Sequence, residues 1–157
     1  MCAIFGIIGE SKLDTLKKMS ACQIYRGPDK QSFFIDKRNK VSIGMNRLSV
    51  IDKKYGKQPM LSHDKRYLGV FNGTIYNFNE IKNFLIRKKI SFKTNSDTEV
   101  LMNAYSYWGK KSLNYFDGVW ALGIFDFKTK KTLLSRDYVG QKPLFYSHNK
   151  NKLVFSS

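Results

Sequence analysis

The segment Ala3 to Gly9, AIFGIIG, is a short apolar run bounded by glycine and polar residues. That is the pattern of a fully buried strand, and it puts Cys2 at the strand's mouth. Ser11, followed three residues later by Asp14, opens a predicted helix on which Leu13, Leu16, Met19 or Ser20, and Ile24 share one face. Cys22 rides on this helix and is expected as a small core or boundary residue. Tyr25-Arg26-Gly27-Pro28-Asp29 breaks it, after which QSFFID and VSIGMNRLSVID read as strands joined across residues 37–40. A loop bearing Gly, Lys and Pro at 53–59 leads to another strand that ends in Asn72-Gly73. Asn77 with Glu80 starts a second helix, with Ile81, Phe84, Leu85 and Lys88 at helical spacing. Ser96 and Glu99 form a capping box for a third, whose Val100, Leu101, Ala104, Tyr105 and Trp108 make an apolar face. From Gly118 the pattern returns to strands: GVWALGIFDF, KTLLSRD, LFYSHN and KLVFSS. Strands at both ends with helices between favour packed sheets covered by helices, an α+β arrangement, over alternating βαβ units.

Composition narrows the class. A chain of 157 residues suits one domain with a real core, and 42% hydrophobic with 15% aromatic residues excludes disorder. No apolar run approaches the roughly 20 residues that span a bilayer. The opening MCAIFGIIGE lacks the basic flank and small-residue cleavage site of a signal peptide, so a soluble, cytoplasmic protein with no membrane partner is expected. Cys2 and Cys22 are too few for a disulfide framework, and neither stands at a metal-ligand spacing with His63 or His148, so no metal is expected. The formal charge of +16 raises nucleic-acid binding as a rival function. Its longest basic stretches, Arg87-Lys88-Lys89 and Lys128-Thr129-Lys130-Lys131, fall at a predicted helix end and in a predicted turn, and the excess of Lys over Arg follows the bias of an AT-rich genome. A solvated surface is favoured, with no nucleic-acid partner.

The chemistry begins at position 2. Removal of Met1 would leave Cys2 as the first residue, with a thiol and a free α-amine on one centre. The thiolate is the nucleophilic form, and an amine of ordinary pKa about 8 is basic enough to accept the thiol proton, directly or through water. A second-position cysteine alone is a weak signal. Attack on a carboxamide creates an oxyanion that needs preorganised donors, which an Asn side chain and a backbone N–H at Asn72-Gly73 could supply. The competing reading of Asn-Gly is a two-residue hairpin turn. An amino-acid substrate also needs a cation for its carboxylate and an anion for its ammonium. Arg47 in an apolar strand and Asp97 at a helix start suit these roles, against a strand-edge charge and a helix-dipole partner as their plain structural readings.

With those residues in place, the sequence resembles the class II glutamine amidotransferases of the N-terminal-nucleophile type, and within them the glutamine-hydrolysing asparagine synthetases. The resemblance runs the whole chain. It rests on CAIFGIIG, RGPD at 26–29, RLSVID at 47–52, NGTIYN at 72–77, SDTEVL at 96–101, DGVWA, and SRDYVGQKPLFY. It implies a four-layer αββα sandwich of the N-terminal-nucleophile hydrolase type. Cys2 would be the nucleophile with its own amine as base, and Asn72 and Gly73 the oxyanion hole. Glutamine would be contacted by Arg47, by the following Leu48, Ser49, Val50 and Ile51, by Thr74 and by Asp97. Relatives in this branch usually carry Glu where this chain has Thr74, and His where it has Tyr25.

The same resemblance sets expectations about the rest of a larger enzyme. Residues 1–157 are expected to be a glutaminase domain cut just before its end and before an ATP-dependent synthetase domain, since no SGGxDS-like pyrophosphatase loop occurs. No cofactor is expected here, and ATP and Mg only in that missing domain. Ammonia would pass to it for asparagine synthesis from aspartate, or for amidation of another carboxylate. A catalytically silent amidotransferase-like domain is the rival, motivated by Thr74 and Tyr25. A homodimer is compatible with the sequence.

Overall fold

The computed structural model describes residues 1–48 and 56–157. In chain order the elements are β1 (Ala3–Ile8), α1 (Leu13–Cys22), β2 (Lys30–Asp36), β3 (Val41–Arg47), β4 (Met60–Leu61), β5 (Tyr67–Ile75), α2 (Phe78–Arg87), α3 (Asp97–Trp108), β6 (Gly118–Asp126), β7 (Thr132–Arg136), β8 (Phe145–His148) and β9 (Leu153–Ser156). Short 3-10 turns cover Ile24–Arg26 and Gly109–Tyr115. The strands form two antiparallel sheets, one in the order β2-β3-β1-β9-β8 and the other β4-β5-β6-β7.

Strand periodicity builds the layers. On β1, Phe5 and Ile7 face α1 and pack with Leu16, while Ile4 faces the second sheet. Val41, Ile43 and Met45 of β3 meet Leu68 and Val70 of β5 and Ala121 and Phe125 of β6 in the inter-sheet core. The opposite face of the second sheet, with Tyr67, Phe71, Ile75, Leu122 and Ile124, is covered by α2 and α3 through Ile81, Leu85, Val100, Leu101 and Ala104. The result is helix, sheet, sheet, helix. Between the sheets the ring of Phe155 lies over Gly6 and Gly123, where an added Cβ would come within 2.4 and 2.9 Å of it. Only glycine leaves room for that ring. β9 joins β1 in register, Phe5 to Ser156 and Ile8 to Leu153, and Ser157 bonds with Ile4 through both its amide and its hydroxyl.

Four local expectations are corrected. α1 begins after Lys12 and not at Ser11, with no side-chain cap, because the Lys12 N–H is taken by Ser42 Oγ of β3 at 3.1 Å. A tertiary contact does the work of the cap. The helix ends at Cys22, and Ile24 belongs to the following 3-10 turn. Cys22 is exposed, since it lies two residues past the buried Ser20, roughly 200° round the helix. Asn72-Gly73 is no hairpin turn: β5 runs on to Ile75, and both residues pair across to β6, with Ala121 and Trp120.

The capping box of α3 forms in half. Ser96 Oγ accepts from Glu99 N at 3.2 Å, but the Glu99 carboxylate reaches further back, to the N–H groups of Lys93 and Thr94 at 2.9 and 2.7 Å. Asn77 precedes α2 without capping it, its amide instead bridging Tyr115 O and Asp117 N. Among the described residues, no helix is long and apolar enough to cross a membrane.

Candidate active site

At one end of the sandwich the apolar inter-sheet face gives way to polar side chains on three strands at once. Arg47 follows Val41, Ile43 and Met45 on β3, and Asn72 follows Leu68 and Val70 on β5. Cys2 precedes Ile4, packs against the same core, and stands across from Arg47, one step beyond the last register pair Ala3–Asn46. Together with Leu48, Gly73, Thr74 and Asp97 they line one cavity of about 240 Å³. The expected site residues that lie in the described structure therefore converge. Ser49, Val50 and Ile51 lie outside the described residues.

The thiol is held by backbone. Leu48 N–H donates to Cys2 Sγ at 3.4 Å, and Sγ lies 3.5 Å from Leu48 O, which can accept its proton. Met1 is 56% exposed and also lines the cavity, so its loss would open the space beside Sγ and free the Cys2 amine there.

The donors opposite arise from the free edge of β5. Trp120, which faces Gly73 on β6, turns its N–H and C=O to Asp137, at 3.3 and 2.8 Å. The Gly73–Trp120 pair is thus of the kind that exchanges no backbone hydrogen bonds, and the Gly73 N–H points to the other edge. Its neighbours on that edge are already engaged, Phe71 N–H by Gln58 Oε1 at 2.6 Å and Ile75 N–H by Asp97 Oδ2 at 3.4 Å. Gly73 lies between them and lines the cavity. A side chain there would meet Val119 O at 2.1 Å, which is backbone and cannot yield. Asn72 is 3% exposed, and among the described residues its Nδ2 has no hydrogen-bond partner. A buried amide donor left unpaired costs about 1–3 kcal/mol, and a bound acceptor in the cavity would relieve that cost.

Asp97, the first residue of α3, is 5% exposed. Burial pushes its carboxyl above the usual carboxylate range, against the opposing effect of the N–H groups of Ile75 and Thr98. A buried carboxylate in this condition gains from a cation. Arg47 is also buried, and together these residues give the cavity one group of each sign.

Sequence reasoning missed several supporting residues. Arg26 Nη2 donates to the carbonyl of Cys2 at 3.2 Å. Gln58 satisfies both Phe71 N–H and Phe71 C=O and donates to Thr98 Oγ1 at 3.0 Å. Lys142 reaches the cavity from a loop tied by Asp137, whose carboxylate accepts from the N–H groups of Gln141 and Lys142 at 2.8 and 3.0 Å. Arg26 stood inside the quoted RGPD motif; Gln58 carried no signal beyond the loop it sits in. Tyr25 is 95% exposed and does not line the cavity.

The family model described as "Glutamine amidotransferase domain" matches residues 1–157. Asparagine synthetase [glutamine-hydrolyzing] 2 of Bacillus subtilis is 37% identical over all of this chain and 21% of its own length. Asparagine synthetase [glutamine-hydrolyzing] 1 of the same organism is 33% identical over all of this chain and 26% of its own length. The Rattus norvegicus asparagine synthetase [glutamine-hydrolyzing] is 33% identical over 92% of the chain and 26% of its own. The chain thus spans 21 to 26% of these relatives. In structure, glutamine phosphoribosylpyrophosphate amidotransferase from B. subtilis superposes with a TM-score of 0.77 at 21% identity, over 99% of this chain and 41% of the other. That likeness gives the fold.

Proposed function

The chain belongs to the glutamine amidotransferase domain family, and from that premise we propose that Cys2, freed of Met1, hydrolyses the side-chain amide of glutamine. The observation that carries the mechanism is the buried Nδ2 of Asn72, unpartnered among the described residues, on a residue that lines the same cavity as Cys2. The Cys2 amine takes the thiol proton, and Sγ attacks the carboxamide carbon while the carbonyl π electrons move onto oxygen. Asn72 Nδ2–H and Gly73 N–H hold the oxyanion. The carbonyl re-forms as the C–N bond breaks, and ammonia departs with the proton held by the amine. Water then attacks the thioester carbon, the C–S bond breaks, and glutamate leaves with the thiol restored. Arg47 holds the substrate α-carboxylate and Asp97 its ammonium, with Leu48 and Thr74 beside them. Ser49, Val50 and Ile51 are assigned to the same wall on the resemblance alone.

The product ammonia serves ATP-dependent asparagine synthesis in a larger cytoplasmic enzyme. The support is the run of glutamine-hydrolysing asparagine synthetases among the relatives, of which this chain covers a minor share. ATP and Mg act in that synthetase part, and residues 1–157 need no cofactor for the hydrolysis. The deciding assay measures glutamate and ammonia from glutamine, with protein lacking Met1. Equal release by this protein and none by Cys2→Ala is expected; no release by a folded protein with intact Cys2 would overturn the proposal and leave a silent domain.

A further inference from the structure

The lysines of this chain, dispersed in sequence, are collected by the fold. Antiparallel pairing brings the turns at 37–40, 127–131 and 149–152 to the end of the sandwich remote from Cys2, seven residues along β1 or about 23 Å at 3.3 Å per residue. Their proximity is visible in the bonds between them: Gly9 N–H to Lys40 O at 2.8 Å, Lys130 Nζ to Asn39 Oδ1, and Lys152 Nζ to Glu10 at 2.6 Å. The acids of this pole are already committed. Glu10 is held by Lys12 and Lys152, Asp36 by Asn39, and Asp126 by the guanidinium of Arg66 at 2.7 and 3.1 Å.

A cleft of about 550 Å³ opens here, lined by Lys110, Lys130, Lys131, His148, Lys150 and Lys152, and it shares no residue with the cavity at Cys2. Among the described residues, Lys110, Lys131 and Lys150 have no carboxylate partner. On the same wall, Thr132 Oγ1 is buried and, among the described residues, has no hydrogen-bond partner. Ammonium groups with no carboxylate partner among the described residues, lining one cleft, suit a compact anion with several oxygens and more than one charge.

We propose that this cleft binds a small multivalent phosphate anion of the pyrophosphate class. A cleft between sheet ends favours such a ligand over a polymer, which would follow a groove and stack bases on exposed aromatic rings. The test is calorimetric titration of the 157-residue protein with pyrophosphate at low ionic strength. Saturable binding at one site is expected, weakened about tenfold, that is by about 1.4 kcal/mol in all, in Lys131→Gln/Lys150→Gln, which removes two cations from the cleft lining. Lys88→Gln/Lys89→Gln, the same change in net charge at the end of α2, should bind as the parent does. Thermal melts of both variants check the fold. Equal weakening in the two variants, absence of saturation, or binding of an oligothymidylate without binding of pyrophosphate would each overturn the proposal.

Discussion

Arg26 Nη2 donates to the carbonyl oxygen of Cys2 at 3.2 Å, tying the turn at 26–29 to the residue that carries the thiol. Next to it, Gly27 lies so close to β3 that a Cβ would sit 2.2 Å from Asn46 O. The two contacts fix where β1 begins relative to Arg47. Arg26→Ala is therefore expected to lower kcat for glutamine hydrolysis roughly ten- to a hundredfold through misplacement of Sγ, with a much smaller change in KM. Arg26→Lys should recover part of the rate. Steady-state kinetics on both variants checks this, and a rise in KM alone would show that Arg26 serves binding.

The amino terminus gives the second prediction. Mass spectrometry of active protein should find Met1 absent and the Cys2 amine unblocked. Cys2→Ala should abolish hydrolysis while glutamine still binds, because it removes the nucleophile and little volume. Cys22→Ala should keep full activity, as Cys22 is exposed on α1 and does not line the cavity.

Binding and chemistry should separate across the cavity. Asn72→Ala is expected to slow turnover by about 10² to 10³, the effect of losing one oxyanion donor, with little change in glutamine affinity. Arg47→Ala and Asp97→Ala should chiefly weaken binding. Titration of the Cys2→Ala background measures affinity, and a folded Arg47→Ala protein with unchanged affinity would remove Arg47 from the site.

Asp97 sets a pH dependence. Its folded-state pKa is raised by burial, so folding favours the protonated form more than the unfolded chain does; this contribution to stability is fully present below the ordinary carboxylate pKa and is lost as pH rises through the raised value. A substrate ammonium reverses the preference. Glutamine affinity should fall as pH drops through that value, and Asp97→Asn should lose this acidic limb while melting at higher temperature than the parent at neutral pH without ligand. Affinity and melting curves between pH 4 and 8 record both; an unchanged acidic limb in Asp97→Asn would assign it to another group.

Thr74 lines the cavity next to Gly73. Thr74→Glu should tighten glutamine binding about tenfold or more, since a charge-assisted hydrogen bond to the ammonium contributes roughly 1.5 to 3 kcal/mol. Parallel titrations of the two proteins measure it. Weaker binding by the Glu variant would show a pocket shaped for a different amide.

Much of this was legible because the site continues a pattern already visible in the sequence. The alternation Val41, Ile43, Met45 makes Arg47 conspicuous, and the run after Cys2 makes a buried strand plain. Asn72-Gly73 was harder. Its local chemistry favours a turn, and only the pairing of residues 67–75 with 118–126, far apart in sequence, holds it extended. Ser11 lost its capping role for a related reason, the intrusion of Ser42. Arg26 and Gln58 act through backbone groups of Cys2 and Phe71, and no composition or spacing rule announces such a partnership.

The placement of β1 between β3 and β9 also dictates an order of assembly. The nucleophile's strand precedes the other strands in chain order, yet one of its two neighbours spans Leu153–Ser156. At about 5–20 residues per second, synthesis leaves roughly seven to thirty seconds in which β1 has no complete sheet to join. Pairings of such long sequence separation also form late in folding. During that interval the nascent terminus stays open to the aminopeptidase that would expose the Cys2 amine, and it is closed into the complete sheet only after Leu153–Ser156 has been made. Trimming of the terminus and completion of the catalytic fold are thereby separated in time.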